Sequence, residues 1–263
     1  MKIGFIGGGA LAEALVKGLA GKLVKDPGNI YVSDHKEGRC EELRAKYHVN
    51  ATVGAASFVG LTDVLVLAVK PKDARKAMEE IAAADSTLIV SVVAGMKLGV
   101  IEEYFPKNPV IRVMPNVPQS VGEGMAAYAL GSHVSDADSE TVRGIWSSVG
   151  KAVEVPESLM DAVTGLSGSG PAFAFLMIDA LADGGVAAGL PRKTAILLAA
   201  QTLLGSAKMV LETGLHPDVL RDQVTSPAGT TIAGVRVLEE KGFRSALIEA
   251  VMSATEVSRN LGK

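Results

Sequence analysis

The sequence predicts an α/β protein: an N-terminal domain built on an open, mostly parallel sheet, followed by an all-helical C-terminal domain that pairs with a second copy. Three observations predict it. Short apolar runs alternate with amphipathic stretches up to about residue 155, the pattern of strand–helix–strand units with right-handed crossovers. After Pro156 that alternation stops, and the remaining apolar stretches have helical period. One of those helices is apolar on nearly every face. The expected division is therefore residues 1–156 and 157–263.

Strands are expected at residues 3–6, 30–33, 64–69, 88–93 and 110–113, separated by helices at 11–20, 37–47, 73–83 and 98–104. The first unit is the most informative. Ile3-Gly4-Phe5-Ile6 reads as a buried strand, and Gly7-x-Gly9-x-x-Ala12 turns it into an amphipathic helix. Strand, glycine turn and helix in that order form the dinucleotide-binding fingerprint of Rossmann-type domains. Gly7 allows the tight turn, Gly9 lets backbone approach a pyrophosphate, and Ala12 is small enough for close helix–strand packing. Two further strands near residues 124–129 and 152–155, around a helix at 136–149, extend the sheet at its edge.

Helices then follow at residues 159–166, 172–188, 192–213, 217–224, 231–241 and 244–261, punctuated by Gly and Pro. Residues 194–208 are apolar or small on nearly every face, as in a helix buried all round. A helical domain of ~105 residues buries too little surface to surround such a helix alone. An intertwined dimer through this domain is the expected solution.

Composition excludes several classes. Apolar residues make up 48% of 263, and mean hydropathy is +0.29, high for a chain with an ordinary surface. Only 4% is aromatic, the net charge is −3 and the pI about 5.9, which argues against a nucleic-acid partner. Cys40 is the single cysteine, so no intramolecular disulfide or thiolate zinc site forms, and the cytoplasm is the expected compartment. It reads as a passive helix residue. Lys2 before an apolar run imitates a signal peptide, but Gly7, Gly8, Gly9 and Glu13 break it. No membrane span is expected: the nearest apolar stretch, 172–190, contains Asp179 and Asp183. His35, His48, His133 and His216 are scattered as surface or capping residues, and no metal site is expected.

Ligands of an open parallel sheet lie beyond the carboxyl ends of its strands. Here those ends read Gly7-Gly8-Gly9, Ser33-Asp34-His35-Lys36, Ala68-Val69-Lys70-Pro71, Ala94-Gly95 and Met114-Pro115-Asn116. Asp34 suits the ribose hydroxyls of NAD, whereas Ser33, Lys36 and Arg39 suit the 2′-phosphate of NADP, and residue types leave both open. Two loops of the helical region, residues 164–171 and 224–231, place hydroxyls and backbone N–H groups at a helix start, which suits an anion. No strong acid or base accompanies them.

At these loops the chain resembles the pyrroline-5-carboxylate reductase family. The matching stretches are residues 4–15, 63–71, 112–118, 161–172, 179–191 and 224–234, with Gly242-Phe243-Arg244 after them. The runs at 161–171 and 225–231 are specific to that family. The resemblance implies reduction of 1-pyrroline-5-carboxylate to L-proline by NADPH or NADH, NADPH being slightly favoured. It also implies a Rossmann domain with a helical dimerisation domain, and homodimers often assembled as decamers of five dimers. It places Ile6, Gly7, Gly8, Gly9, Ala10, Leu11, Ala68, Val69, Lys70 and Pro71 along the cofactor, and Ala94, Gly95 and Asn116 near its nicotinamide. Gln223, Gly229, Thr230 and Thr231 would hold the substrate, with Ser167, Gly168 and Ser169 beside it. Three positions depart from the family pattern: Ala228 stands where glycine is usual, Phe173 where tyrosine is common and Val117 where threonine is frequent.

The implied chemistry explains the missing acid and base. A cyclic imine protonates readily in water, and its iminium already accepts hydride. Thr231 Oγ is assigned as hydrogen-bond partner of the ring nitrogen, orienting it while solution supplies the proton, because a threonine hydroxyl is too weak an acid to donate near neutral pH. Two other readings stay open: a related reductase of another imine or keto acid, and a non-catalytic nucleotide sensor.

Overall fold

The protein is described from a computed structural model, which covers residues 1–81 and 86–261. By contacts it divides into two units: Met1–Ser169 with the chain from Ser253 onward, and Gly170–Met252. In the first unit the elements are β1 (Ile3–Ile6), α1 (Ala10–Leu19), β2 (Ile30–Asp34), α2 (Glu37–Tyr47), β3 (Asn50–Val53), β4 (Val64–Leu67), α3 (Pro71–Glu79), β5 (Leu88–Ser91), α4 (Leu98–Tyr104), β6 (Val110–Pro115), β7 (Gly124–Leu130), α5 (Asp136–Ser147) and β8 (Gly150–Glu154). The eight strands lie in the order β3-β2-β1-β4-β5-β6-β7-β8, parallel throughout except for the antiparallel pair β6–β7.

Both faces of the sheet are covered. In β4, Val64 and Val66 face the layer of α1, α2 and α5, where Leu15, Leu19, Leu43, Ile145 and Trp146 are buried. Leu65 and Leu67 face the opposite layer, with Met78 of α3 and Ile101 of α4. Two-sided burial explains why these strands read as continuous apolar runs. Pro71 opens α3 without needing an N–H, and Ser135 with Asp138 forms a capping box that starts α5.

The expected elements are present, with shifted ends. The strand expected at 64–69 stops at Leu67, and the helix expected at 73–83 starts at Pro71 and ends at Glu79; residues 82 and 83 lie outside the described residues. The edge strand β3 was not anticipated. The expected helix at 159–166 and the loop after it are corrected to α6 (Met160–Val163) and a π turn at Thr164–Gly168, in which Ser169 N–H donates to Thr164 C=O at 2.9 Å. The glycines at 165, 168 and 170 let the helix widen there instead of breaking.

The second unit contains α7 (Gly170–Ala187), α8 (Arg192–Thr213), α9 (Pro217–Gln223), α10 (Thr230–Glu240) and the first part of α11 (Phe243–Leu261). α7 and α8 form a hairpin around the small residues Ala182, Ala195 and Ala199, and Asp183 pairs with Arg192 at 2.6 Å. As expected of a helix that one copy cannot surround, α8 is largely uncovered in the single chain: only Ala195 and Ala199 are buried on it, and Leu197 is 67% exposed, as Leu176 of α7 is at 70%. Residues 157–187 and α8 also have the length and mean hydropathy, 1.3 and 1.5, to cross a bilayer, by length and composition only.

Candidate functional site

The strand order reverses between β1 and β4, and in open α/β sheets a ligand crevice lies at that switch point. Parallel register brings the strand ends into one row. Ile6 is level with Ser33 and with Leu67, which is level with Ser91. One residue further on, Gly7 N–H donates to Ser33 C=O at 2.9 Å, Ala68 N–H to Ile6 C=O at 2.8 Å, and Val92 N–H to Leu67 C=O at 3.1 Å. Gly7, Ala68 and the segment leading to Ala94 therefore leave the sheet side by side.

Gly7 adopts φ +104°, and a Cβ there would lie 2.6 Å from the Ala68 carbonyl oxygen, so only glycine fits. Gly9 is the opposite case. Its φ is −67°, it precedes α1 with no side-chain cap, and a Cβ built on it would have no further atom within 4 Å. Bare backbone at a helix start, open on one side, is a fitting seat for a pyrophosphate. Ala10 and Lys70 are exposed beside this turn, Leu11, Ala68 and Val69 are half-buried, and Ile6 is buried beneath it.

The end of β2 is more committed than its residue types imply. The Ser33 hydroxyl is buried and donates to Phe5 C=O at 3.4 Å. Asp34 accepts Gly8 N–H at 3.1 Å and Lys36 N–H at 3.0 Å, with His35 Nδ1 at 3.3 Å. Lys36 and His35 are exposed. Arg39, half-buried, donates from Nε to Gly8 C=O at 2.7 Å and from its terminal nitrogens to Glu13 at 2.5 Å and Glu42 at 2.9 Å. Glu13 also accepts from Lys46 at 2.8 Å and Tyr47 at 2.9 Å. The guanidinium of Arg39, then the ammonium of Lys46, hold the Glu13 carboxyl at about 2 against an ordinary 4.5, with burial opposing them. The sequence offered Arg39 only as a partner for a 2′-phosphate and did not offer Glu13 as a site residue; the brace they form depends on the meeting of α1, α2 and the glycine turn.

Asn116, directly after β6, is used at both ends. Its side-chain carbonyl accepts Met125 N–H at 2.8 Å, and its amide donates to Ser167 C=O at 3.2 Å. Gly168 packs so closely that a Cβ would meet the Met114 methyl at 2.5 Å. The π turn carrying Ser167, Gly168 and Ser169 thus sits on the end of β6. Gly95, at φ +73°, is covered by the backbone of Leu261, and Ala94 is exposed.

Gln223, Gly229, Thr230 and Thr231 lie in the second unit. Gly229 is the N-cap of α10, with no side chain of the described residues capping it; Thr231 is half-buried, Thr230 and Gln223 exposed. Four N–H groups of such a helix start have no partner within the helix. Ala228 enters this turn at φ +56°. Gly229 is tight against Ser226 Oγ, within 2.3 Å of where its Cβ would be. Cys40 is buried on α2, its thiol pushed up by burial. His48 ends α2 in the left-handed conformation, and His216 caps α9 by accepting Asp218 N–H at 3.2 Å. Among the described residues no three His, Cys, Asp or Glu side chains gather as a metal site.

Comparison with known proteins agrees with this layout. A family model described as pyrroline-5-carboxylate reductase dimerisation matches residues 157–261, and one described as NADP oxidoreductase, coenzyme F420-dependent, matches residues 2–95. A pyrroline-5-carboxylate reductase of Synechocystis is 47% identical over 100% of this chain and 99% of its own length. The structure of the enzyme of that name from Coxiella burnetii superposes with a TM-score of 0.92 at 33% identity, covering 100% of this chain and 98% of the other. That of Plasmodium falciparum pyrroline carboxylate reductase, solved with NADP bound, gives 0.88 at 32%, again covering 100% and 98%.

Proposed function

The chain belongs to the pyrroline-5-carboxylate reductase family, and from that membership we propose that it reduces 1-pyrroline-5-carboxylate to L-proline with NADH or NADPH. The observation that carries the reading is the switch-point turn, closed to any side chain at Gly7 and open at Gly9. When bound, the dinucleotide supplies a hydride from C4 of its dihydronicotinamide to C5 of the substrate ring.

The chain's own residues bind and orient. Gly9 presents backbone to the pyrophosphate, while Gly7 and Gly8, whose N–H groups are taken by Ser33 and Asp34, shape the turn beneath it with Ile6, Ala10 and Leu11 below and beside. Asp34 and Lys36 flank the adenosine ribose above the buried Ser33; Ala68, Val69, Lys70 and Pro71 line the neighbouring strand end. Ala94, Gly95 and Asn116 border the nicotinamide. The substrate carboxylate lies on the N–H groups that start α10, at Gly229, Thr230 and Thr231, where each contact with a helix N-terminus contributes ~0.3–1 kcal/mol, or ~2 when partly buried. The family resemblance also assigns Gln223, Ser167, Gly168 and Ser169 to substrate binding. The Thr231 hydroxyl accepts from or donates to the ring nitrogen and fixes the ring face, and solution supplies the proton. Holding both carbons in contact accounts for up to roughly 7–11 kcal/mol of barrier reduction.

The dimerisation model and the uncovered leucines of α7 and α8 support a homodimer built through residues 157–263, with five dimers assembled as a decamer; light scattering reads both. The buried, unpaired Cys40 suits a reducing cytoplasm. The deciding assay follows loss of dihydronicotinamide absorbance with pyrroline-5-carboxylate and each cofactor. Imine-dependent oxidation is expected. Cofactor binding without oxidation would identify a sensor, and oxidation with a different imine or keto acid alone would identify a related reductase.

A further inference from the structure

Gly8 is pinned from both sides. Its N–H is held by Asp34 Oδ2 at 3.1 Å, its C=O by Arg39 Nε at 2.7 Å, and Leu43 of α2 lies 3.1 Å from where its Cβ would be. The Gly8–Gly9 peptide is trans, so with its carbonyl drawn toward α2 its N–H points the opposite way, away from α2, at a residue that is itself exposed. Arg39 does not hold this carbonyl as a loose surface side chain. Its two other donor positions are fixed by Glu42 and by Glu13, and Glu13 is fixed in turn by Lys46 and Tyr47.

We propose that Arg39, braced by Glu13, is a positioning residue for cofactor binding: it sets the Gly8–Gly9 peptide so that the Gly9 N–H is already aimed at the pyrophosphate. This rests on the reading of the Gly7–Gly9 turn as the pyrophosphate seat. All three guanidinium nitrogens of Arg39 already donate within the chain, so Gly8, Glu13 and Glu42 set its orientation; one N–H on each terminal nitrogen is left over, and the comparison of NADH with NADPH decides against or for recognition of a 2′-phosphate. A basic residue following β2 near an adenosine ribose invites the second interpretation from sequence alone. A glycine peptide without its brace samples both orientations of its plane, and binding weakens by the fraction that remains competent.

The test measures dissociation constants of NADH and of NADPH for the wild type, Arg39→Ala, Arg39→Lys and Glu13→Gln, with thermal melting as a folding control. Steady-state kinetics is run on the same samples. Arg39→Ala is expected to weaken both dinucleotides by the same factor, about tenfold. The KM for the imine and kcat at saturating cofactor stay unchanged. Arg39→Lys keeps the charge but not the fork that reaches Gly8 and Glu13 together, so it weakens both as well; Glu13→Gln does so by less. Unchanged affinity in Arg39→Lys or Arg39→Ala, or a loss confined to NADPH, overturns the proposal. Failure of the wild type to bind either dinucleotide overturns instead the reading of the turn itself.

Discussion

Gly7 and Gly9 stand two residues apart in one turn, yet replacing each by alanine should break different things. At Gly9 the backbone is at φ −67°, ψ −177°, which any residue adopts, and a methyl there touches nothing else within 4 Å. The cost to the fold is that of alanine in place of glycine at a helix N-cap, about 0.5–1 kcal/mol. In a chain of this size that lowers Tm by roughly 1–4 °C. The cofactor loses much more, because the methyl stands where the pyrophosphate must approach. Forfeiting one charge-assisted hydrogen bond of about 1.5–3 kcal/mol weakens binding by about ten- to a hundredfold. At Gly7 the order reverses. Alanine at φ +104° costs about 1–2 kcal/mol in backbone conformation. Its Cβ also falls 2.6 Å from the Ala68 carbonyl, so the β1–β4 junction has to move. The sum is about 3 kcal/mol or more, with Tm down by at least about 6 °C. Both variants are melted at one protein concentration, since oligomerisation makes Tm concentration-dependent, and both are titrated with NADPH and NADH. Wild-type affinity in Gly9→Ala, or a wild-type melt in Gly7→Ala, would refute the reasoning.

Three further outcomes follow from other parts of the molecule. Thr231→Ala should lower kcat by about tenfold, the worth of one net hydrogen bond, while cofactor affinity stays at the wild-type value; full turnover in that variant removes Thr231 from the mechanism. Ala228→Gly should raise Tm slightly. It relieves about 1–2 kcal/mol of left-handed backbone cost at φ +56° and returns about 0.4–1 kcal/mol as unfolded-state entropy, and a drop in Tm would show that the turn is not strained. The Glu13 carboxyl lies at about 2 in the folded chain against an ordinary 4.5, so its stabilisation is complete above the ordinary value and is lost as pH falls through about 2. Glu13→Gln should therefore be less stable than the wild type by about 1–2 kcal/mol at neutral pH, after discounting for partial exposure, and the gap should close in acid. Denaturant melts across pH measure it, and a gap that widens toward low pH would contradict the sign.

The parts of the fold legible in the sequence are those where one local rule acts alone. β1, its glycine turn and α1 were readable almost to the residue, because the hydrophobic period changes from continuous to helical across a turn that needs glycine. β3 was invisible: Asn50-Ala51-Thr52-Val53 is a half-exposed edge strand without an apolar run. The turn at Thr164–Gly168 looked like a loop because glycine and serine usually interrupt helices, whereas packing on the end of β6 keeps it helical. Ser33 looked like a ligand hydroxyl, but it is buried one residue before the end of β2, in a sheet covered on both faces, and its hydroxyl serves Phe5. Thr231 was found through its family pattern, and its place at the start of α10 is what a helix-capping sequence would also give. Arg39 was legible as a basic residue near the ribose but not as the brace of Gly8, and Glu13 was not legible as its partner, since no local pattern encodes the meeting of three segments.

A strongly displaced carboxylate is often the best pointer to a catalytic acid or base. Here that rule leads to the wrong chemistry. Among the described carboxylates it is Glu13 that is driven far down, and what drives it is Arg39, Lys46 and Tyr47, a brace around the glycine turn and not a reacting group. The proposed reaction accounts for this. Its substrate is an imine that takes its proton from water, so the protein has no need to hold an acid poised near neutrality. What it must hold is geometry, at a peptide plane beside Gly9 and at the N–H groups of α10. On that reading the electrostatic effort belongs behind a glycine turn, where Arg39, Lys46 and Tyr47 gather on Glu13.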